Sequence, residues 1–423
     1  MGKAHVAEII GVGTELLLGN TANTDARDLS EMLSALGINV YYHTVVGDNP
    51  ERLRGVVNIA KQRADIIITT GGLGPTYDDL TKQVLAESFG LKLYYDESEA
   101  ELITSFFSSR LRGAKMTENN LQQAWLPEGC TVFRNEWGTA PGCAFFEDDT
   151  YVIMLPGPPR ECRAMFQNCA VPYLKELSDS EILSHNIRVF GEGESAVEDK
   201  LREMMNSLTN PTLAPYAKEG EVMLRVTAKA KSSEEAEEMI APVLNAVCEC
   251  LGDVIYGIDV DSLEQRIFEL LTERGMTLAT AESITGGMLS KRLTDIPGSS
   301  NIFLGGLVTY SDASKKELLG IPTELIEESG VVSKAVALKM AENAKNLLGA
   351  DFGIGITGYA GPGVGEKGDV GYVFTALATD EGSFVRELHL GMGRERIRTM
   401  AANNGLDMLR RYLTGIDVIR RTN

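Results

Sequence analysis

The sequence predicts an α/β protein of more than one domain, with a small α+β module set between two α/β units. Three observations carry this. At 423 residues the chain is longer than one core serves, given about 150 residues per domain. Apolar strand-like runs alternate with helical periodicity at both ends of the chain. Residues 176 to 260 break that alternation and hold 17 Asp and Glu against 7 Lys and Arg, so they supply half of a net charge of −20.

In the first unit, Val6 to Ile10 is a short apolar run closed by Gly11 and Gly13. Ala26, Leu29, Met32, Leu33 and Leu36 then recur at helical spacing until Gly37. Ile38 to Val46 reads as a strand, Asp48 or Asn49 caps a helix with Pro50 in its first turn, and Asp65 to Thr70 is a buried strand. A further strand at Tyr151 to Leu155 runs into Pro156-Gly157-Pro158-Pro159. This β-α-β-α-β order favours a parallel sheet covered by helices.

The middle stretch reads β-α-β-β-α: strands at Asn186 to Phe190, Thr212 to Tyr216 and Glu221 to Ala230, and helices at Ser195 to Leu208 and Ser233 to Leu251. The order resembles a KH-like module, yet its acidity and the lack of a basic G-x-x-G loop argue against RNA binding. In the third unit an amphipathic helix from Ser262 to Arg274 precedes strands at Thr277 to Ala281, Leu304 to Tyr310, Phe352 to Thr357, Tyr372 to Ala378 and Phe384 to Leu390. Helices follow Gly286, span Ser333 to Leu348, and start near Glu395. The expected boundaries are 1–175, 176–256 and 257–423.

Composition excludes several classes. Hydrophobic residues at 43% and charged residues at 24% are globular values, not those of a disordered or fibrous chain. No apolar run approaches the roughly 18 residues of a membrane span. Met1 to Ile10 lacks a signal peptide's basic start, which predicts a cytoplasmic protein. Six scattered cysteines with no C-x-x-C pair are expected to be reduced. The net charge repels phosphate backbones, so nucleic acid is not expected as a ligand.

Two segments carry candidate chemistry in the first unit. Gly71-Gly72-Leu73-Gly74-Pro75-Thr76 lies between a buried strand and a helix, where backbone N–H groups and a helix start cradle phosphate. Carboxylates beside such a cradle need a divalent cation, which makes Asp48, Asp78 and Asp79 candidate ligands of the hard, oxygen type. Gly13, Glu15 and Asn23 add a second loop that is not a dinucleotide fingerprint.

In the third unit Ser283 falls where a strand turns into a helix, with the N–H groups of Thr285, Gly286 and Gly287 placed to hold an oxyanion. The only histidine there, His389, is far along the chain, so Lys315 is the candidate base. At its ordinary pKa a lysine is neutral in only roughly 1 in 2500 molecules at pH 7, so this one must be perturbed. Ile356 to Gly363 forms a loop able to close on a ligand, and Arg394, Arg396 and Arg398 could grip a phosphate.

The segments GVGTELLLGNTANTDA, GGLGPTYDDLT and PGPPRE resemble the molybdopterin-binding, MoaB/MogA-like fold family, and more closely the N-terminal domain of the CinA family, over about residues 4 to 170. TAESITGG, VTYSDASK, ITGYAGPG and GRERIR resemble the CinA C-terminal domain, a family of nicotinamide mononucleotide (NMN) deamidases, over about 262 to 415. The resemblance implies a metal-free serine amidohydrolase in which Ser283 attacks the carboxamide and Lys315 is the base. Tyr310 and Thr357 then stand close by, Gly361 in the closing loop, and Arg394 or Arg398 at the substrate phosphate. It also implies a KH-like linker, an N-terminal ADP-ribose pyrophosphatase dependent on a divalent metal, and a homodimer. Members often have Cys where this chain has Ile284, and a proline that Gly365 to Gly371 lacks. Two rivals are a molybdenum-cofactor binding protein and a non-catalytic competence or DNA-damage accessory protein.

Overall fold

Ile9, Ile10, Ile66, Ile67 and Ile68 are all fully enclosed, as expected of parallel strands covered on both faces. They lie at the centre of the first sheet in a computed structural model that describes residues 5–109, 116–175, 181–218, 220–362 and 369–419. The chain divides into two compact units, residues 1–183 with 228–237, and residues 184–227 with 238–423.

The strands of the first unit are β1 (Val6–Val12), β2 (Asn39–Val46), β3 (Ile66–Thr70), β4 (Leu93–Tyr95), β5 (Trp125–Pro127), β6 (Thr131–Phe133), β7 (Gly142–Glu147) and β8 (Thr150–Leu155). Six of them form a sheet ordered β2-β1-β3-β8-β7-β6, and β4 pairs with β5 apart from it. Pairing is parallel from β2 to β8, whereas β7 and β6 run antiparallel. The expected parallel sheet is therefore mixed. Its antiparallel part follows from a two-residue hairpin at Asp148 and Asp149, both at positive φ as such a turn requires. Alternate isoleucines feed two cores: Ile9, Ile66 and Ile68 meet Leu29 and Leu33 on one face, while Ile10 and Ile67 meet Leu53 and Val57 on the other. Asn23 caps helix Thr24–Ala35, and Asn49 rather than Asp48 caps helix Pro50–Ala60.

The middle strands are β9 (Glu181–Val189), β10 (Thr212–Lys218), β11 (Glu221–Ala230) and β12 (Ile255–Ile258), in the order β10-β11-β9-β12. Residues 184–227 share a unit with the C-terminal region because they share its core. Phe190, Tyr256 and Val260 pack with Leu263 and Ile267, and Arg410 donates to the carbonyls of Ile255 and Asp253.

The last sheet holds β13 (Leu278–Glu282), β14 (Phe303–Val308), β15 (Phe352–Gly358), β16 (Tyr372–Ala378) and β17 (Ser383–His389), ordered β14-β13-β15-β16-β17. The first three are parallel and the last two antiparallel. Helices Leu263–Arg274 and Arg394–Leu413 cover one face, where Ile354 and Ile356 pack. Helix Lys334–Leu348, capped by Ser333, covers the other, against Ala279 and Ala281. The carboxyl ends of β13, β14 and β15 thus meet at one rim, the usual place for a ligand in such sheets.

Candidate active sites

At that rim Ser283 continues β13, its N–H bonded to the Ile356 carbonyl at 3.0 Å. Thr309, just past β14, donates its N–H to the Glu282 carbonyl. Helix Asp312–Leu319 then starts from a capping box between Ser311 and Ser314, and its second turn points Lys315 back to the serine. Lys315 Nζ lies 3.1 Å from Ser283 Oγ and donates to the Thr309 carbonyl at 2.8 Å. Lys315 is 1% exposed and Ser283 8%, so this pair is nearly enclosed. Burial pushes the Lys315 ammonium below its ordinary pKa, while the Asp312 carboxylate pulls it partly back.

Ser283, Ile284, Tyr310, Lys315, Thr357 and Arg394 line one cavity of about 200 Å³, together with Asp312 and Tyr359. Arg394 donates to the Gly361 carbonyl at 2.7 Å and to the Tyr310 hydroxyl at 3.0 Å, which joins three expected site residues at the cavity mouth. Thr357 reaches the wall, but its hydroxyl is committed to the Val331 carbonyl. Gly363 and the stretch Gly365 to Gly368 lie outside the described residues.

The structure corrects the expected roles of Gly286, Gly287, Arg396 and Arg398. The Gly286 N–H bonds the Ser283 carbonyl and the Gly287 N–H bonds a Glu282 carboxylate oxygen, so neither can serve an oxyanion. Thr285 is fully enclosed and does not line the cavity, but its N–H donates no hydrogen bond among the described residues. Among the described residues the Ile284 N–H donates no hydrogen bond, and Ile284 lines the cavity. Arg398 donates from Nε to the Ile284 carbonyl and from Nη2 to the Thr285 carbonyl, with Glu395 beside it, and does not line the cavity. It braces the turn instead of facing a phosphate. Arg396, the arginine between, lines a different cavity.

In the first unit a cavity of about 520 Å³ opens at the ends of β1, β3 and β8. Gly13, Glu15, Asp48, Gly71, Gly72, Gly74, Thr76, Asp78 and Asp79 all line it, as the sequence expects. Gly71 and Gly72 have φ of +93° and +68°, and a Cβ would run into the Val12 carbonyl at one and the Thr81 hydroxyl at the other. That conformation leaves the N–H groups of Gly72, Leu73 and Gly74 without a partner among the described residues, which is an anion nest. Asn23 is a correction: its side chain caps the Ala26 N–H, and it does not line the cavity.

The three aspartates face one cavity without forming one ligand set. Asp48 accepts from the Thr14 N–H and hydroxyl at 2.8 Å. Asp78 and Asp79 instead each place an oxygen 2.5 Å from the Thr76 hydroxyl. Among the described residues no group of three His, Cys, Asp or Glu side chains could hold a metal ion. The Asp79 oxygen also accepts from the Thr76 N–H at 2.8 Å, so Thr76 ties both carboxylates to the cavity wall, where two such groups could hold a cation only if substrate oxygens completed its shell. Two further residues escaped the sequence reading. Glu161, in the PGPPRE turn, lines the cavity and accepts from Asn135 at 2.7 Å. Lys82, buried with its amine on the Gln123 carbonyl, has its pKa pushed down to about 8 by burial.

Comparisons with known proteins match three family models along the chain. Residues 8–176 match the family model Probable molybdopterin binding domain, 184–257 the Damage-inducible protein CinA KH domain, and 260–413 the CinA C-terminal domain. CinA-like proteins of Dictyoglomus turgidum and Dictyoglomus thermophilum are each 48% identical over 411 residues, covering 97% of this chain and 99% of theirs. A crystal structure of the protein CinA of Thermoplasma acidophilum is 32% identical, covers 40% of this chain and 98% of its own, and superposes with a TM-score of 0.37. No helix among the described residues is long and apolar enough to cross a membrane.

Proposed function

Because the chain belongs to the CinA family, we propose that its C-terminal domain hydrolyses the carboxamide of NMN, and that its N-terminal domain cleaves ADP-ribose with a divalent metal. The enclosed Ser283–Lys315 pair carries the first reading. Its members lie 3.1 Å apart, and burial favours the neutral amine a base must be.

Ser283 Oγ attacks the carboxamide carbon and neutral Lys315 takes the hydroxyl proton. The oxyanion meets the free Ile284 N–H, the amide of the residue after the nucleophile. Collapse breaks the C–N bond, and Lys315 returns the proton to the departing ammonia. Water, deprotonated by the same lysine, then releases nicotinate mononucleotide from the acyl-serine. Arg394 keeps donors beyond the two it gives Gly361 and Tyr310, and these suit the substrate phosphate. This reaction uses no metal or cofactor.

For the N-terminal domain, the unpartnered amides of Gly72 to Gly74 would hold one phosphate, and Asp78 and Asp79 would hold the cation. That cation supplies charge neutralisation on the pyrophosphate. The ligands of the chain are then small nucleotides rather than nucleic acid, in keeping with its net −20. We propose further, from the family resemblance, that it is a homodimer, and from its sequence that it is cytoplasmic.

Purified protein given NMN is expected to release equimolar ammonia and nicotinate mononucleotide with or without chelator. Given ADP-ribose, it is expected to yield AMP and ribose 5-phosphate only without chelator. No ammonia from NMN at any pH between 6 and 10 sinks the deamidase reading.

A further inference from the structure

Glu282 stands beside the nucleophile, and the reaction above does not use it. It is 0% exposed, and a buried carboxylate is costly unless its oxygens are hydrogen-bonded. Four donors converge on it: the N–H groups of Gly287 and Leu289 at 3.0 Å, the Ser290 N–H at 2.8 Å, and the Ser290 hydroxyl at 2.6 Å. The Ser290 proton is thereby committed, so the Thr280 hydroxyl, 2.8 Å away, is the donor in the next link. The carboxylate at the end of β13 thus ties down the far side of the turn from 283 to 290. Arg398 braces the near side through the carbonyls of Ile284 and Thr285.

We propose that Glu282 is a positioning residue, whose carboxylate fixes the turn so that the Ile284 N–H stays free and aimed at the oxyanion formed on Ser283. The inference rests on the serine–lysine reading of the same site. Glu282 takes the Gly287 N–H, Gly286 takes the Ser283 carbonyl, and Arg398 takes the next two carbonyls. Of the groups around Ser283, the N–H groups of Ile284 and Thr285 are left over among the described residues, and Ile284 is the one that lines the cavity. Misplacing a reacting geometry by about 1 Å costs on the order of 10²-fold in rate.

Glutamine has the shape of glutamate but replaces one acceptor oxygen with an NH2 donor, which would face an N–H and push the turn away. Glu282→Gln in the full chain is therefore expected to lower kcat for NMN by about 10²-fold, the loss typical of one oxyanion donor, with KM changed by less than about threefold. The pH midpoint of kcat/KM should stay in place, since Lys315 is held by Thr309 and not by Glu282. A second readout is independent of the natural substrate: phosphonylation by a fluorophosphonate. Ser283 Oγ forms a bond to phosphorus, the P–F bond breaks, fluoride leaves, and Lys315 takes the proton. Wild-type labelling at Ser283 without NMN turnover would refute the substrate and leave the proposal standing. Labelling slowed about 30-fold or more in Glu282→Gln supports it. Wild-type kcat and labelling in a folded Glu282→Gln overturn it, as does a raised KM with kcat unchanged, or a moved pH midpoint. Should that variant not fold, Ser290→Ala, which removes one donor, is expected to cut labelling by about 3- to 10-fold. Labelling at the wild-type rate there overturns the role.

Discussion

Both candidate sites sit where parallel strands end and a glycine-bearing turn begins, yet they handle charge in opposite ways. The Gly71 to Gly74 loop leaves three consecutive amides open and sets Asp78 and Asp79 around one hydroxyl, so it is complete only when a ligand brings further charge. The Glu282 to Ser290 turn bonds most of its polar groups internally and leaves the Ile284 amide lining the cavity of an enclosed Ser–Lys pair. Their cavities agree, at about 520 Å³ for the first and about 200 Å³ for the second. An open nest recognises a charge already present in the substrate. A closed turn waits for a charge that appears only during reaction.

The largest expected effect tests whether the closed turn is a catalyst at all. Ser283→Ala should lower NMN turnover by at least about 10³-fold, leave ADP-ribose cleavage intact, and leave the fold unchanged by circular dichroism. Retained ammonia release would end the covalent mechanism. Lys315→Arg should fail almost as badly, because a guanidinium holds its proton above about pH 12. In wild type kcat/KM should rise with pH: the neutral amine is the active form, and burial puts its midpoint below the ordinary lysine value. Since Asp312 raises that midpoint, Asp312→Asn should move it to lower pH.

The open site should respond in the reverse pattern. Asp79→Ala is expected to lower ADP-ribose cleavage by about 10²-fold or more and to spare deamidation, with chelator mimicking the variant. If neither wild type nor variant yields AMP while ADP-ribose still binds, the first domain is a binding module, as the molybdenum-cofactor alternative requires. The smallest effect belongs to Arg394→Ala. It should raise KM about 10- to 100-fold for NMN, and far less for nicotinamide riboside, which lacks the phosphate. Equal losses would assign Arg394 to holding Gly361 and Tyr310.

What could be read ahead of the structure was whatever is local in sequence. Ser262, Ser333 and Asn49 announce helix starts, and the apolar runs at residues 66 to 70 and 278 to 281 announce parallel strands. Strands β4, β5 and β6 have three residues each, too few to show an alternation. At the closed site Ser283 and Lys315 were legible as motif residues, but which amides stay free is decided by Glu282 and by Arg398, more than a hundred positions away. The sequence showed three basic residues in a row of alternate positions at 394, 396 and 398. Only helix geometry separates them into a cavity residue, a residue of another cavity and a brace. At the open site the glycines were legible because their φ values leave little else possible, whereas Gln123 and Glu161 arrive from other segments.

The brace at Arg398 also acts on peptide polarity. A peptide group whose carbonyl is hydrogen-bonded becomes a stronger donor at its own N–H, by about 10 to 30% per bond. The Ile284 N–H shares its peptide with the Ser283 carbonyl, which accepts from Gly286, and the Thr285 N–H shares its peptide with the Ile284 carbonyl, which accepts from the Arg398 guanidinium. Each sits on a unit already polarised from behind. The full positive charge of Arg398 therefore stands behind the Thr285 N–H, while the Ile284 N–H that lines the cavity is polarised by the neutral Gly286 amide before any substrate arrives.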